Sequence, residues 1–201
     1  MRFLDLADKK ILVVGAHPDD IELGMGGTLH QIRKYNPQIV IFSDSTNIPG
    51  NENIVKDLKN SLSSNYKYTC LNYNTMDFVN HIDSIRNDIY KLRDADIIFS
   101  TSSKSQHLDH RIIGDAIDDI MLEKTVLYYE DIRSGQNQHV NCWNEISRQE
   151  LEIKVKMIEQ YMSQKRRKYF QNNVIEARAK FRGSQIEKIY AEAFELQRLV
   201  L

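Results

Sequence analysis

The chain of 201 residues has few cysteines, almost no net charge and no long apolar run. Its two cysteines, Cys70 and Cys142, lie far apart and match no CxxC zinc or redox motif, so two free thiols in a reducing compartment are expected. A formal net charge of -1 gives no overall field that would attract nucleic acid or a membrane surface. No window approaches the roughly 18–20 apolar residues of a membrane span, and residues 1–14 lack a signal peptide's apolar stretch. We therefore expect a cytoplasmic protein.

Apolar runs alternate regularly with helical patterns up to about residue 130. The apolar runs predict strands at residues 10–16, 38–44, 66–73, 94–101 and 125–130. Helical spacing of apolar residues predicts helices at residues 26–35, 51–64, 78–92 and 112–122. This alternation is typical of an α/β fold with a Rossmann-like, mostly parallel sheet and helices on both faces.

After about residue 145 the pattern becomes long, charged and predominantly helical, which predicts a C-terminal helical layer. Such a layer would cover one edge of the sheet or form a subunit contact, so the sequence is compatible with a homo-oligomer. The length suits one domain, and we expect residues 1–201 to form it. The basic run at residues 164–168 predicts a solvated helix face, with a patch for an anionic substrate as the alternative. His139 lies in a loop that could fold over the sheet edge.

The most informative stretch is GAHPDDIELGMGG at residues 15–27, which follows the first predicted strand. The apolar run ILVV gives way at once to a histidine and two carboxylates, His17, Asp19 and Asp20, at the sheet edge where ligands bind in parallel α/β folds. The spacing excludes a G-x-G-x-x-G dinucleotide fingerprint, and adjacent carboxylates would repel a pyrophosphate. Helix capping by Asp19 or Asp20 is the simplest alternative, but it does not account for His17.

A second polar cluster, His107, Asp109 and His110, follows the fourth predicted strand and therefore reaches the same edge of the sheet. Two histidines and one aspartate are suitable ligands for a catalytic zinc ion, which keeps one position for water. One further aspartate and one further histidine would then serve as base and acid. Asp109 is placed to fix the tautomer of a neighbouring histidine. Two capped helix starts without a metal are the alternative.

Together, the two motifs resemble those of the LmbE-like deacetylases, also called the PIG-L family. These are zinc-dependent amidases that remove an acetyl group from an N-acetylglucosamine unit of a larger molecule. The family motif A-H-P-D-D-x-x-L-G-x-G-G-T is matched by Ala16, His17, Pro18, Asp19, Asp20, Leu23, Gly24, Gly26, Gly27 and Thr28. The motif H-x-D-H-R is matched by His107, Asp109, His110 and Arg111. The resemblance covers most of the chain, since EIKVKMIEQYMSQ and YAEAFELQR also resemble the C-terminal half of bacterial members.

The resemblance implies a role for each of the matching polar residues. His17, Asp20 and His110 would hold zinc or another divalent ion, because a His/Asp/His site accepts several metals. Asp19 would be the general base. A protonated His107, with Asp109 behind it, would assist at the oxyanion or at the leaving nitrogen.

Substrate recognition departs from the family pattern. Many members carry an arginine after the second strand, but residues 43–62 of this chain contain none. Many also carry an aspartate where this chain has Ser105. Glu130 and Arg133, at the end of the fifth predicted strand, are candidates for substrate contact. We expect a small-molecule N-acetyl sugar conjugate as substrate; a thiol-conjugate or another non-sugar amide is the alternative. A non-catalytic metal-binding or sugar-binding module is a third hypothesis, against which the presence of Asp19 argues.

Overall fold

The computed structural model describes residue 6, residues 8–62 and residues 65–200, and these contain seven strands and six helices. The strands are β1 (Ile11–Gly15), β2 (Gln38–Ser43), β3 (Tyr68–Tyr73), β4 (Ile97–Ser100), β5 (Thr125–Tyr129), β6 (Cys142–Glu145) and β7 (Ala191–Arg198). The helices are α1 (Asp20–Ile32), α2 (Ile54–Leu62), α3 (Ile82–Lys91), α4 (Leu108–Ile120), α5 (Arg148–Glu159) and α6 (Asn172–Ser184). The last two residues of the predicted helix 51–64, and residues 1–5 and 7 of the N-terminal stretch, lie outside the described residues.

All seven strands form one sheet in the order β3-β2-β1-β4-β5-β7-β6. Strands β1 to β5 are parallel, as predicted. Every residue of β1 is buried, because helices cover both faces of the sheet. Ile11 and Val13 join the hydrophobic core that includes α1, α2, α5 and α6, whereas Leu12 and Val14 join the core that includes α3 and α4. The predicted α/β architecture is therefore confirmed.

The C-terminal part contains helices, as the sequence predicts, and also strands that the sequence does not predict. Helices α5 and α6 are present, but β7 lies antiparallel between β5 and β6 inside the sheet. The acidic residues of β7 make it resemble an exposed helix in the sequence, yet Glu192 and Glu195 are buried. Glu192 pairs with buried Lys154 at 2.6 Å, and Glu195 pairs with Lys104. These ion pairs offset the cost of burying the carboxylates.

Helix α1 begins at Asp20, six residues before the predicted start, and Gly24 in its first half packs tightly against Tyr129 of β5. A Cβ atom at Gly24 would lie 2.3 Å from the Tyr129 ring, so only glycine allows this approach. Met25 has non-helical dihedral angles and kinks the helix at this point. The close contact fixes the start of α1, and with it the polar residues that follow β1.

None of the six described helices combines the length and apolar character that crossing a bilayer requires.

Candidate active site

The two polar clusters meet at the carboxyl ends of β1 and β4. The chain adds β2 and β3 on one side of β1 and then returns to place β4 and β5 on the other. Ligands of open parallel sheets bind in the crevice at such a switch point. The crevice is a cavity of about 220 Å³, and its lining includes His17, Asp19, Asp20, His107 and His110. The structure therefore brings the two sequence motifs to one site.

Three side-chain atoms in this cavity form a small triangle. His17 Nδ1 lies 3.2 Å from His110 Nε2 and 3.5 Å from Asp20 Oδ2. The third edge, from His110 Nε2 to Asp20 Oδ2, is 3.3 Å. A tetrahedral ion with bonds of about 2.0–2.1 Å holds its ligand atoms about 3.3–3.4 Å apart, so the triangle matches the size of such a site. The nitrogens of His17, His107 and His110 also lie within 4.8 Å of one another, which is a looser grouping.

A further carboxylate orients each of the two histidines in the triangle. Asp109 Oδ2 lies 2.9 Å from His17 Nε2, and Asp131 Oδ2 lies 2.9 Å from His110 Nδ1. Such carboxylate–histidine pairs fix the tautomer of metal ligands. The expectation that Asp109 stands behind His107 is therefore wrong. The same Asp109 oxygen also accepts the Met76 N–H at 2.7 Å, which turns the carboxylate toward His17.

The cluster attracts positive charge because three carboxylates surround two imidazoles. Burial alone would lower the pKa of His110, but Asp20 and Asp131 outweigh burial and raise this pKa to about 10. Burial is likewise outweighed at His17, where Asp109 and Asp20 raise the pKa. In the metal-free chain His110 therefore holds a proton that a divalent cation would displace on binding. The donor set and its charge thus fit a divalent metal.

Asp19 lies between His17 and the start of α1 in a left-handed backbone conformation, with φ of 87°. Its side chain makes no capping hydrogen bond, so helix capping does not explain it. The residue is buried, and within the described part of the chain its carboxylate receives no hydrogen bond. Burial, reinforced by the negative charge of Asp20 and opposed by Arg167, raises the pKa of Asp19 well above its usual value. The cavity therefore contains a carboxylate suited to accepting a proton.

A buried hydrogen-bond network holds the Asp19 backbone in this conformation. The Tyr161 hydroxyl accepts the Asp19 N–H at 3.1 Å and donates to Glu22 Oε1 at 2.7 Å. Ser61 Oγ donates to the same Glu22 oxygen at 2.7 Å. A left-handed conformation is costly for a residue other than glycine, and it persists where surrounding contacts impose it. Sequence reasoning missed Tyr161 because it lies 142 residues from Asp19.

His107 lies against both histidines of the triangle. Its ring centroid is 4.8 Å from that of His17 and 4.7 Å from that of His110. Its Nδ1 atom is buried and has no hydrogen-bond partner in the described part of the chain. Burial and the neighbouring charges of His17 and His110 lower the pKa of His107 to about 4. The protonated form expected from the sequence is therefore disfavoured in the metal-free chain.

The two candidate substrate contacts have different environments. Both Glu130 and Arg133 line the cavity. The Glu130 carboxylate is paired with Arg178 at 2.7 Å and with Arg182, so its charge is already neutralised by α6. Arg133 is exposed and forms no ion pair with any described acidic residue. Of the two, only Arg133 therefore has a charge that is free to pair with a substrate group.

The basic run and the His139 loop also differ from expectation. Gln164 ends one short 3-10 turn and Lys168 begins the next, so the predicted α-helix face is wrong for residues 164–168, although Lys165, Arg166 and Lys168 are exposed as predicted. Gln164 is buried and donates to Asn51 at 2.8 Å, and both Gln164 and Arg167 line the cavity. His139 is exposed and is not among the residues that line the cavity.

Asp131 is the main site residue that sequence reasoning missed. It directly follows Glu130 at the carboxyl end of β5, so the strand-end rule that singled out Glu130 applies to it equally. Ser105, which stands where many family members have aspartate, donates to Asp131 Oδ2 at 3.2 Å and accepts the His107 N–H at 3.1 Å. The serine therefore links Asp131 to the second motif.

Replacing Asp131 by asparagine is expected to raise the dissociation constant for the bound metal by about 10–100-fold, because His110 loses the charged partner that orients it. Competition with a chromophoric chelator measures this constant. Asp119→Asn, at an exposed α4 position paired with Arg86, is the matched control and should bind metal like the wild type. An Asp131→Asn protein that also matched the wild type would contradict this role of Asp131.

Comparison of the sequence with models of protein families agrees with the fold and with this site. The chain belongs to the PIG-L family, whose model, described as GlcNAc-PI de-N-acetylase, matches residues 12–121. That range contains both polar motifs, so the resemblance to LmbE-like proteins is confirmed. A comparison with curated proteins gives no significant match.

Solved structures share the whole fold at low sequence identity. N,N'-diacetylchitobiose deacetylase from Pyrococcus horikoshii has a TM-score of 0.73 and 21% identity, covering 96% of this chain and 85% of its own. Teicoplanin deacetylase Orf2, solved in a zinc-inhibited form, has a TM-score of 0.70 and 14% identity, with coverages of 92% and 96%. GalB, the 4-carboxy-2-hydroxymuconate hydratase from Pseudomonas putida KT2440, has a TM-score of 0.73 and 15% identity, with coverages of 96% and 98%. Such identities show the fold alone.

Proposed function

We propose that this protein is a metal-dependent deacetylase that hydrolyses the acetamide of an N-acetylated sugar conjugate of the N-acetylglucosamine type. The triangle of His17, Asp20 and His110, with the Asp19 carboxylate in the same cavity, is the observation that carries the proposal. Membership of the PIG-L family supports the reaction class. A hydratase shares the fold, so the reaction is argued from the site and not from the fold.

His17, Asp20 and His110 are the residues that would hold the metal. When bound, a divalent cation supplies Lewis-acid polarisation of the amide carbonyl and of the attacking water. Zinc is the metal we propose first, although two histidines and a carboxylate also suit other divalent ions. Because a structural relative was solved in a zinc-inhibited form, each metal needs to be tested over a range of concentrations.

The proton transfers fall to residues that are not in the triangle. Asp19 accepts a proton from the attacking water and delivers it to the leaving amine nitrogen, so its carboxylate begins and ends the cycle deprotonated. His107 donates an imidazole N–H to the carbonyl oxygen as negative charge develops there; one such donor is typically worth about 3–4 kcal/mol. Asp109 and Asp131 keep His17 and His110 in the tautomers that turn Nδ1 and Nε2 toward each other.

The domain organisation, the cellular location and the oligomeric state are also proposals. We propose that residues 1–201 form one domain, since β7 near the C-terminus pairs with β5 in the same sheet as the N-terminal strands. The cytoplasmic location and the homo-oligomer stay predictions from the sequence.

Acetate release from a panel of amides tests the proposal. The panel contains N-acetylglucosamine, its glycosides and phosphates, an N-acetyl thiol-conjugate and a simple aliphatic acetamide, each assayed with zinc, manganese and iron(II). We expect metal-dependent acetate release to be fastest with the sugar amides. Faster hydrolysis of the thiol-conjugate or the aliphatic amide would reassign the substrate class. No hydrolysis of any amide, together with hydration of an unsaturated acid, would contradict a deacetylase.

A further inference from the structure

Two arginines in the cavity carry a charge that no described acidic side chain neutralises by an ion pair. Arg133 comes from the loop after β5, and Arg167 comes from the turn after α5. Neither forms a salt bridge with a described Asp or Glu, whereas Arg178 and Arg182 close by are both paired with Glu130. An arginine in a partly enclosed cavity without a carboxylate partner is suited to binding an anionic ligand.

Both arginines are held in place by the same framework that builds the metal site. Asp131 Oδ1 accepts the backbone N–H groups of Arg133 and Ser134 at 2.9 and 3.0 Å, while its other oxygen orients His110. The Arg167 N–H donates to the carbonyl of buried Gln164 at 2.9 Å. The backbone positions of Arg133 and Arg167 are therefore tied to the residues that build the site.

Tyr169 lines the cavity together with both arginines and contacts one of them. Arg167 donates to the Tyr169 hydroxyl and lies over the Tyr169 ring, 5.9 Å from its centroid. Burial and the negative charge of Asp19 raise the pKa of Tyr169, whereas Arg167 and Arg133 oppose that rise. Arg133, Arg167 and Tyr169 thus form one patch on the cavity wall, which we call the arginine patch.

Apart from Asp19, whose pKa is raised by burial and lowered in part by the charge of Arg167, the acidic residues of the cavity are already paired. Asp20 contacts His17 and His110, and Asp131 contacts His110. Glu130 is paired with the α6 arginines. Asp19 is the base of the proposed reaction, and the arginine patch is left to bind a group of the substrate.

We propose that the substrate carries an anionic group, a carboxylate or a phosphate, that binds at the arginine patch while its acetamide reaches the triangle of His17, Asp20 and His110. The inference rests on the proposed function for the position of the acetamide. It narrows the substrate class to acidic N-acetyl conjugates and disfavours neutral oligosaccharides.

Steady-state kinetics on matched pairs of substrates tests this. The neutral compound is methyl N-acetylglucosaminide, and its acidic counterparts are N-acetylglucosamine 1-phosphate, N-acetylglucosamine 6-phosphate and a carboxymethyl N-acetylglucosaminide. We expect at least one acidic compound to have a KM about 10-fold or more below that of the neutral one. Arg133→Gln and Arg167→Gln should each raise the KM of that acidic compound by about 10-fold more than the KM of the neutral compound, the usual scale for a hydrogen bond to a charged group. The phosphate and carboxylate arms identify which anion binds.

Arg166→Gln is the matched control, because Arg166 belongs to the same basic run but is exposed and does not line the cavity. It should behave like the wild type. Equal KM values for neutral and acidic substrates, or equal losses on both in the Arg133 and Arg167 variants, would overturn the inference and leave the deacetylase proposal standing.

A binding measurement separates this inference from the proposed function. Inorganic phosphate titrated into the metal-loaded protein should bind about 10-fold more weakly to the Arg133→Gln/Arg167→Gln double variant than to the wild type and Arg166→Gln. Arginine-dependent binding without any acetate release would support the anion site and refute the deacetylase. Identical phosphate affinity in all three proteins would refute the anion site.

Discussion

Replacing Asp19 by asparagine is expected to lower kcat by about 10²–10⁴-fold, the usual contribution of a general base, while the metal stays bound. The amide cannot accept the proton of the attacking water, but the triangle of ligand atoms is unchanged. Asparagine is preferred to alanine here because φ at this position is 87°, a conformation that asparagine tolerates much better. Acetate release and metal content, measured on the same preparation, give both quantities.

The control for Asp19→Asn is a variant that changes the position of the Asp19 carboxylate but not its chemistry. Tyr161→Phe removes the hydroxyl that accepts the Asp19 N–H and donates to Glu22, but it retains the carboxylate. It should reduce kcat less than Asp19→Asn does. An Asp19→Asn enzyme that retained wild-type turnover would show that another group accepts the proton.

The second large effect is expected from His107→Ala, which should lower kcat by about 10²–10³-fold without loss of metal. This is the usual cost of removing one donor to a developing oxyanion. His107 touches both triangle histidines but lies outside the closest set of ligand atoms. Turnover and metal stoichiometry are therefore both measured on His107→Ala, and only turnover should fall.

His110→Ala is the matched variant, because its ring stacks on that of His107 at 4.7 Å and lines the same cavity. It should lose the metal as well as the activity. Loss of metal from both variants would mean that His107 is also a ligand, as in the looser three-histidine grouping, and that the triangle with Asp20 does not describe the site.

The parallel half of the sheet could be predicted from the sequence because strands buried on both faces leave short, unbroken apolar runs. Strand β1 is an example, since its five residues are all buried. Strand β7 could not be predicted in this way. Its buried Glu192 is neutralised by Lys154, which comes from a helix 38 residues earlier, and a sequence pattern does not show such a pair.

The candidate site was predictable to the extent that its residues are close in sequence. His17, Asp19 and Asp20 follow one strand, and His107 and His110 follow another, so the rule for strand ends finds them. The groups that orient them come from elsewhere. Tyr161 reaches Asp19 across 142 residues, and Asp131 reaches His110 across 21. Only the packing of α5 and of the loop after β5 brings those partners to the site.

Anomalous scattering from zinc-soaked crystals, recorded on both sides of the zinc absorption edge, tests the central claim most directly. The account predicts one strong peak in the cavity, bonded to His17 Nδ1, Asp20 Oδ2 and His110 Nε2. No peak at that position, or a peak bonded to His107 in place of Asp20, would contradict it.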